Sequence, residues 1–411
     1  MATEDGPLLV PDPEGLDRGV DRTIEAWERW SASCTYDGPF RDEVRRSALL
    51  LKQLIFAPTG AIAAAATTSL PESRTTAKNW DYRYSWIRDT AFSLTALFQL
   101  GVREETHASI TWLLSLLREE GEGPGVLHTL AGGRPGADVT CYDVPGWRGS
   151  SPVVTGNRAT DQLQLGVYGD LFSTVQVYVD HGNVLDAPTG RLLTSIADRA
   201  ADDWRRRDAG MWELEDDRHY TTSKLGCWVA LTHAAHLADL GQIDGDAGRW
   251  RHEAEAIREW VGTEGWSENL GAYEFHPGSD ELDASILLHA ISGFDRGERM
   301  IRTLDALEEK LGAGPHLYRY SGMRSEEETF LACSFWMVAA RALCGQVERA
   351  QELMEQLLAQ APNDVGVLAE MLDPTTGAHA GNLPQALSHL ALVNAALTIH
   401  SVRTGEVEPV S

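Results

Sequence analysis

The 411-residue sequence is poor in basic residues. Lysine and arginine together number 35, against 61 aspartate and glutamate residues, so the formal charge at pH 7 is −26. Such a chain repels the phosphates of nucleic acids and the anionic surfaces of membranes, and we expect neither as a partner. A neutral or cationic small molecule is the partner that this charge favours, although an acidic balance also serves solubility alone. The sequence leaves the oligomeric state open.

Cysteines and long apolar runs are also scarce. The five cysteines form an odd set without C-x-x-C spacing: Cys34, Cys141, Cys227, Cys333 and Cys344. Most lie in apolar helical stretches, which is typical of small buried residues in a reducing compartment. No stretch reaches eighteen apolar residues, and no basic region followed by an apolar run stands at the N-terminus. We therefore expect a soluble cytoplasmic enzyme or binding protein.

Motifs for a transition metal or for acyl transfer are missing. The sequence has no H-E-x-x-H, no paired-histidine spacing, no Cys/His ligand cluster and no serine in a G-x-S-x-G context. We therefore expect no metal and no cofactor. Calcium is left open, but no loop has the density of oxygen ligands that a calcium site requires.

Apolar residues recur at helical spacing from residue 42 onward, and alternating β-branched runs are few. The pattern predicts twelve helices, at 42–56, 88–101, 103–119, 158–180, 189–206, 221–240, 246–263, 282–291, 295–312, 329–344, 346–360 and 384–403. Short links between them alternate with long ones. A closed ring of six helical hairpins needs this alternation, with short turns on one rim and long loops on the other. An open helical array is the alternative, but no fixed-period repeat supports it.

Residues 1–40 differ from the remainder of the chain. They are rich in proline and glycine at first and then carry a predicted helix from Leu16 to Ala32, with Trp27 and Trp30 on one side. We expect this segment to be an arm packed on the outside of the ring. No linker composition divides residues 41–411, which are predicted to form one domain.

The most informative segment is residues 79–89, Asn-Trp-Asp-Tyr-Arg-Tyr-Ser-Trp-Ile-Arg-Asp. Aromatic faces can stack on the apolar face of a pyranose, and an adjacent Arg and Asp, here Arg88 and Asp89, can hydrogen-bond vicinal hydroxyls. A helix N-terminus with an internal Arg–Asp pair is the alternative interpretation. The segment otherwise indicates a sugar-binding site on the long-loop rim, where functional groups concentrate.

Two acidic residues stand out by their context. Glu213 follows Trp212 in a long loop, and a carboxyl held against an indole loses hydration, so its pKa rises and it can act as a general acid. Glu370 lies in an apolar run ahead of the Asp373–Gly377 turn and is a candidate general base. Hydrolysis of a glycosidic bond needs two carboxyls of this kind on opposite faces of the sugar.

Two further candidates for ligand binding have two interpretations each. Arg319 stands between Tyr318 and Tyr320 at the end of a long loop, where a cation suits a hydroxyl-rich ligand or a buried ion pair equally well. Trp147 lies in a surface turn, where its indole either faces a ligand or packs inward. The residues alone leave both questions open.

Taken together, these motifs resemble glycoside hydrolase family 15, which contains glucoamylases, glucodextranases, some bacterial trehalases and isomaltose glucohydrolases. The resemblance covers nearly the whole chain, from Cys34 to Leu397. The matching blocks are 80–89, 212–213, 318–320, 333–336 and 382–389. The resemblance implies an all-α fold, a six-fold (α/α) barrel of twelve helices. It also implies exo-cleavage with inversion, which releases β-glucose from the non-reducing end of an α-glucoside.

Matched position by position, the resemblance implies a role for each residue. Glu213 corresponds to the general acid and Glu370 to the general base. The implied substrate-binding residues are Tyr82 beside the base, Trp86 as an aromatic wall, the hydroxyl-gripping pair Arg88 and Asp89, and Arg319 as a further hydroxyl ligand. From their own sequence context we also expect Trp212 and Trp147 to bind substrate.

The chain also departs from the family pattern. Bacterial members usually carry a β-sandwich domain before the barrel, and we expect none here, because the sequence begins at the helical linker that normally follows it. The loop 322–328 is unusually acidic, and we expect it to shape the site that receives the leaving group. A short substrate follows from the missing sandwich, most favourably isomaltose or small α-1,6 gluco-oligosaccharides. A trehalase, an α-1,4-acting glucoamylase and a non-catalytic carbohydrate-binding or regulatory barrel are the alternatives.

Overall fold

The computed structural model describes residues 12–73, 78–120, 125–360 and 365–407. These residues form thirteen α-helices and eleven strands of two or three residues each. The helices are α1 Pro13–Ser31, α2 Arg41–Leu54, α3 Ile87–Gln99, α4 Arg103–Glu120, α5 Gly166–Asp180, α6 Ala187–Asp203, α7 Thr221–Asp239, α8 Ala247–Thr263, α9 Leu287–Ile291, α10 Glu298–Leu311, α11 Leu331–Leu343, α12 Val347–Gln360 and α13 Ala386–Thr404.

The strands lie in the long links and form only small sheets. They are β1 Ser85–Trp86, β2 Leu127–His128, β3 Thr140–Tyr142, β4 Val153–Thr155, β5 Trp266–Ser267, β6 Ala272–Tyr273, β7 Gly312–Ala313, β8 His316–Leu317, β9 Thr329–Phe330, β10 Met371–Leu372 and β11 His379–Ala380. Four antiparallel pairs, β1–β2, β3–β4, β5–β6 and β7–β8, accompany one three-stranded sheet in the order β11–β10–β9. The strands therefore fasten loops to one another and do not form a sheet core.

Twelve of the helices form a closed double ring. Going round the inner ring, α3 contacts α5, α5 contacts α7, and the series continues through α9, α11 and α13 back to α3. The outer helices α2, α4, α6, α8, α10 and α12 pack against this inner ring. The fold is therefore an (α/α) six-fold barrel, as predicted.

The composition of each helix explains its place in the ring. Every residue of α11 is buried, as expected for a helix that is apolar all round and packed on all sides. By contrast, α10 buries one stripe, with Met300, Leu304, Leu307 and Leu311 at helical spacing, and exposes its charged face. Apolar periodicity alone therefore separates inner from outer helices.

All six inner helices end in the same way. Each is followed within two residues by a glycine in the left-handed region, and these are Gly101, Gly182, Gly241, Gly293, Gly345 and Gly405. A residue with a β-carbon is disfavoured in that conformation, which ends a helix and reverses the chain. The turns after the first five inner helices are short, so the six inner helices all begin at the opposite rim, where the long links lie.

Helix α1 precedes the ring and is attached through its C-terminal end. The indole Nε1 of Trp30 donates to Glu105 Oε1 at 2.8 Å, and Lys52 Nζ donates to the same oxygen at 2.5 Å. No residue of α1 is buried, and its start at Pro13 extends the predicted helix by one turn. The division of the chain at residue 40 stays a prediction.

Two predicted helices were wrong at their starts, and in the one predicted over 282–291 a 3-10 turn, Ala284–Ile286, precedes α9. Residues 158–180 were expected to form a single helix, but a short 3-10 turn over Arg158–Asp161 is followed by an irregular segment before α5 begins. In that segment Leu165 N donates to Asp208 Oδ2, and Leu163 O accepts from Ala209 N. Tertiary hydrogen bonds to a neighbouring loop replace the helical ones, which periodicity could not indicate.

The cysteines and the apolar runs can now be compared with expectation. Four cysteines are buried, whereas Cys141 is exposed on β3. Across the ranges that the structure describes, no helix combines the length and apolar character that a membrane crossing requires.

The contact between α5 and α7 gives a test of the ring. Here backbone packs on backbone, because a Cβ atom at Gly226 would lie 2.5 Å from Cα of Gly166. We expect Gly226→Ala to lower the free energy of unfolding by about 1–3 kcal/mol, as overpacking does. Denaturant unfolding measures this change. Gly262→Ala in α8 is the matched control, because its Cβ would meet no atom closer than 3.8 Å. A loss of stability in the control as large as in Gly226→Ala would contradict the assignment.

Candidate active site

The long-link rim gathers the candidate residues where the inner helices begin. Trp86 is the residue before α3, Glu213 lies in the loop between α6 and α7, and Glu370 stands directly before β10. The positive ends of the inner helix dipoles lie at this rim, which favours acidic side chains there. The ring therefore positions loops from different hairpins around one rim.

Glu213 is held in an unusual backbone conformation. Its φ is 59°, in the left-handed region that a glutamate rarely adopts. Its carbonyl accepts from Gln162 Nε2 at 3.2 Å, and its side-chain Oε1 accepts from the indole Nε1 of Trp86 at 2.7 Å. Burial raises the pKa of Glu213, while the charge of Arg88 and the Trp86 hydrogen bond oppose that rise. Strain of this kind is characteristic of functional positions.

Glu370 is 2% exposed, and both its backbone carbonyl and its backbone N–H are hydrogen-bonded. Its carbonyl accepts from Leu331 N at 3.0 Å, and its N–H donates to Asn382 O at 3.1 Å. The side-chain Oε1 accepts from the Tyr82 hydroxyl at 2.8 Å, whereas Oε2 has no hydrogen-bond partner in the protein. Burial raises the pKa of Glu370 well above its ordinary value, and the charge of Glu72 adds to that effect.

Two aromatic rings connect these carboxyls. Tyr82, which bonds Glu370, and Trp86, which bonds Glu213, meet edge to face with ring centroids 5.6 Å apart. Each acid therefore accepts a hydrogen bond from one of two aromatic rings that are in contact with each other. The structure brings Glu213, Trp86, Tyr82 and Glu370 into one continuous set of contacts.

Arg88 and Asp89 lie in the first turn of α3, beside this set. Arg88 Nη1 donates to the carbonyl of Met211 at 2.9 Å, and its Nη2 lies 3.4 Å from Asp89 Oδ2. Arg88 Nε and Asp89 Oδ2 are buried without a hydrogen-bond partner in the protein. Asp170 of α5 also faces Arg88, and burial raises the pKa of Asp170 to about 7. Unpartnered donors and acceptors of this kind are available to a polar ligand.

Arg319 forms the buried ion pair that was one of its two interpretations. Its Nε donates to Glu327 Oε1 at 2.7 Å, and its Nη2 donates to Glu327 Oε2. Lys78 Nζ also donates to Glu327, at 3.1 Å, and the two cations hold the pKa of Glu327 below its ordinary value. The acidic loop 322–328 thus supplies a counter-ion. A role for Arg319 in binding hydroxyls stays a prediction.

Trp212 stands between Glu213 and a second buried acid. Its indole Nε1 donates to Asp283 Oδ1 at 2.8 Å, and the Arg319 guanidinium lies 5.4 Å from its ring centroid. Burial raises the pKa of Asp283 to about 6. Asp283 also accepts from Ser285 N at 2.9 Å at the start of the turn before α9, which fixes the tryptophan to the barrel.

Trp147 is placed apart from this set. It lies between β3 and β4, is 59% exposed, and has the Arg148 guanidinium 5.4 Å from its ring centroid. Within the described residues, no hydrogen bond or ring contact joins it to another candidate. A role for Trp147 in substrate binding therefore stays a prediction.

Several residues of the site were missed from the sequence. They are Glu72, Lys78, Asp170, Asp283 and Glu327. Only the acidic run 326–328 gave a signal. Nothing in the sequence distinguishes Glu72, Asp170 and Asp283 from the remaining acids of the chain, or Lys78 from its other basic residues. In the described part of the chain, no group of three or more His, Cys, Asp or Glu side chains is arranged to hold a metal ion.

Comparison with known proteins identifies the family. The model of the glycosyl hydrolases of family 15 matches residues 38–397. The chain is 35% identical to a trehalase of Mycolicibacterium smegmatis, over 96% of this chain and 61% of that protein. It is 32% identical to a trehalase of Thermoplasma acidophilum, over 92% of this chain and 66% of that protein. This chain belongs to the glycosyl hydrolases of family 15.

The relatives and the solved structures show how much of each chain is similar. The chain spans about three-fifths of the length of the Mycolicibacterium relative, 61%. A bacterial glucoamylase solved with acarbose superimposes with a TM-score of 0.71 at 14% identity, over 96% of this chain and 62% of that chain. At that identity the likeness supports the barrel fold alone.

The Arg319 cluster yields a stability prediction. Glu327→Gln leaves the buried Arg319 and the partly buried Lys78 without their shared counter-ion, so we expect a loss of about 3–5 kcal/mol in the free energy of unfolding. Because the pKa of Glu327 is lowered, the wild-type contribution is present at neutral pH and is lost as the pH falls through that pKa. Urea unfolding at several pH values measures both effects.

Glu326→Gln is the matched control for this prediction. Glu326 also lies near Lys78 Nζ, at 3.0 Å, but its side chain is 51% exposed. An exposed pair contributes at most about 1 kcal/mol, so the control is expected to change stability little. Equal losses in the two variants would show that Glu327 is not the counter-ion of the cluster.

Proposed function

We propose that this chain hydrolyses α-glucosides by a single displacement with inversion. The observation that carries the proposal is the pair of shielded carboxyls, Glu213 and Glu370, each hydrogen-bonded to one of two touching aromatic rings. Family membership supports the same reaction. An inverting hydrolase needs one carboxyl that stays protonated and another that is ionised when water attacks.

Glu213 is the proposed general acid. Burial raises its pKa, which keeps the carboxyl protonated closer to neutral pH than an exposed glutamate. The Trp86 N–H holds Oε1 and thereby orients the carboxyl. When the glycosidic bond breaks, Glu213 gives its proton to the leaving oxygen.

Glu370 is the proposed general base. Its Oε1 is occupied by the Tyr82 hydroxyl, and its Oε2 has no protein partner, so Oε2 is the atom available to the attacking water. As water adds to the anomeric carbon, one water proton moves to Oε2. The protonated Glu370 then releases that proton to solvent before the next turnover.

The terminal glucose is proposed to bind between Arg88, Asp89 and the aromatic residues. Arg88 Nε and Asp89 Oδ2, neither of which makes a hydrogen bond within the described residues, supply a donor and an acceptor for neighbouring hydroxyls. Trp86, Tyr82 and Trp212 supply apolar ring surface for the sugar. We propose exo-action at the non-reducing end, as in the family that the sequence resembles.

Trehalose is the substrate that we now place first. The relatives with 35% and 32% identity are both named trehalase. The expectation of isomaltose rests on the acid and base positions and on the expected absence of a β-sandwich, which do not separate isomaltose from trehalose, so isomaltose becomes the second candidate and maltose the third. The cytoplasmic location and the neutral glucoside as partner stay proposals drawn from charge and cysteine use.

Time-resolved proton NMR on fresh substrate tests the reaction. Inversion of trehalose yields one β-glucose and one α-glucose, because only the attacked anomeric carbon changes configuration. We therefore expect equal initial amounts of the two anomers, recorded before mutarotation. A first product that is all α-glucose would show retention and remove the role of Glu370 as a base. Sugar binding without cleavage of trehalose, isomaltose or maltose would support a binding protein instead.

The two acids have a direct test on the substrate that is cleaved. Glu213→Gln and Glu370→Gln should each lower kcat by about two to four orders of magnitude, because each removes one proton-transfer group. Glu215→Gln is the control, since Glu215 lies in the same loop and is exposed. Circular dichroism establishes that each variant is folded. Near-normal turnover in either acid variant would refute the assignment.

A further inference from the structure

Glu72 is a buried acid that the proposed reaction does not use. It is 1% exposed, and its backbone is fixed by hydrogen bonds of its N–H to Lys78 O at 3.1 Å and of its carbonyl to Glu328 N at 3.2 Å. Burying a carboxyl away from water costs free energy unless partners compensate for the lost hydration. The contacts of its side chain indicate a role for this buried acid.

Glu72 and Glu370 share one hydrogen-bond donor. The Tyr82 hydroxyl lies 2.8 Å from Glu370 Oε1 and 3.4 Å from Glu72 Oε1. A phenol has a single hydrogen, so it donates fully to one carboxylate at a time. The shorter distance shows that Glu370 receives the hydrogen bond in this structure.

The two carboxyls differ in their nearest cations. Burial raises the pKa of Glu72 to about 7, and the charge of Arg319, whose Nη2 lies 3.6 Å from Glu72 Oε2, opposes that rise. Among the described residues, no Lys, Arg or His forms an ion pair with Glu370. A proton that enters the pair is therefore held better by Glu370 than by Glu72.

Other titratable groups face this pair from the surrounding loops. They are Glu327 and Lys78 around Arg319, Glu213 beyond Trp86, and His379 and His389 behind the Glu370 backbone. Burial lowers the pKa of both histidines, so they are neutral near pH 7. Lys78 and Arg319 both pair with Glu327, and Arg319 also pairs with Glu72, which is the acid that shares the Tyr82 hydroxyl with the base.

We propose that Glu72 is a positioning residue that loses its proton before Glu370 does, strengthens Glu370 as a base and gives the Tyr82 hydroxyl a second acceptor. The inference rests on the proposed function. Before reaction, Tyr82 donates to ionised Glu370. When the proton of water moves to Glu370 Oε2, the Tyr82 hydrogen turns to Glu72 Oε1, so the phenol keeps a charged acceptor. Release of that proton to solvent restores the first arrangement.

The upward shift of the pKa of Glu370 supports this role. Burial raises the pKa of Glu370, and the charge of Glu72 raises it further. A base is most effective when its pKa lies near the working pH, so a neighbouring negative charge benefits proton abstraction.

Replacement of Glu72 by glutamine tests the proposal through the pH profile. Glu72→Gln removes the like charge at nearly unchanged volume, so the pKa of Glu370 should fall. The acid-side limb of kcat/KM should then move to lower pH by about 1–3 units, while KM changes little. Glu72→Asp keeps the charge and should keep the limb close to its wild-type position. Glu326→Gln removes an exposed charge near Lys78 and should leave the limb unmoved.

A second readout does not depend on activity. Infrared difference spectra against pH report the C=O band of a protonated buried carboxyl, and Glu370→Gln identifies which band belongs to Glu370. The midpoint of that band should fall in Glu72→Gln. An unmoved band and an unmoved kinetic limb in folded Glu72→Gln would overturn the proposal. A wild type that cleaves no glucoside, with a band that still moves, would refute the proposed function and leave the coupling between Glu72 and Glu370 standing.

Discussion

Closure of the inner ring is the constraint on which the rest of the structure depends. Six helices that are buried on nearly all sides must each contact two neighbours, and a glycine after each one turns the chain outward. Their first turns therefore meet at one rim, where the long links supply side chains from separate hairpins. The site exists because these links have a common rigid base.

The buried acids of that rim are held in different ways. Glu327 has two cations as partners, Asp283 has an indole and a backbone N–H, and Glu213 has one indole. Glu370 accepts a hydrogen bond from a phenol, lies beside a second acid and forms no ion pair with the described residues. Glu327, which has two cations, has a lowered pKa, whereas burial raises the pKa of Asp283, Glu213 and Glu370. Raised proton affinity is the property that acid–base chemistry needs.

Much of the fold and part of the site could be predicted from the sequence. The alternation of short and long links indicated the ring, and the segment 79–89 with Glu213 and Glu370 indicated a sugar site. The start of α5 was wrong because Leu163 and Leu165 bond to another loop. Glu72 was missed because a single acid before a polar stretch has no local pattern, and its importance comes from contacts with Tyr82, ten residues away, and with Arg319, which is remote in sequence.

The sequence by itself determined the helices, the order of inner and outer members and the residue types at the rim, because apolar periodicity and turn glycines act over a few residues. Only the tertiary structure decided which acids become neighbours and which of them obtain cations. Those outcomes depend on contacts between loops far apart in the chain. Burial and neighbouring charge, which set the proton affinity of each carboxyl, are properties of that arrangement and not of local sequence.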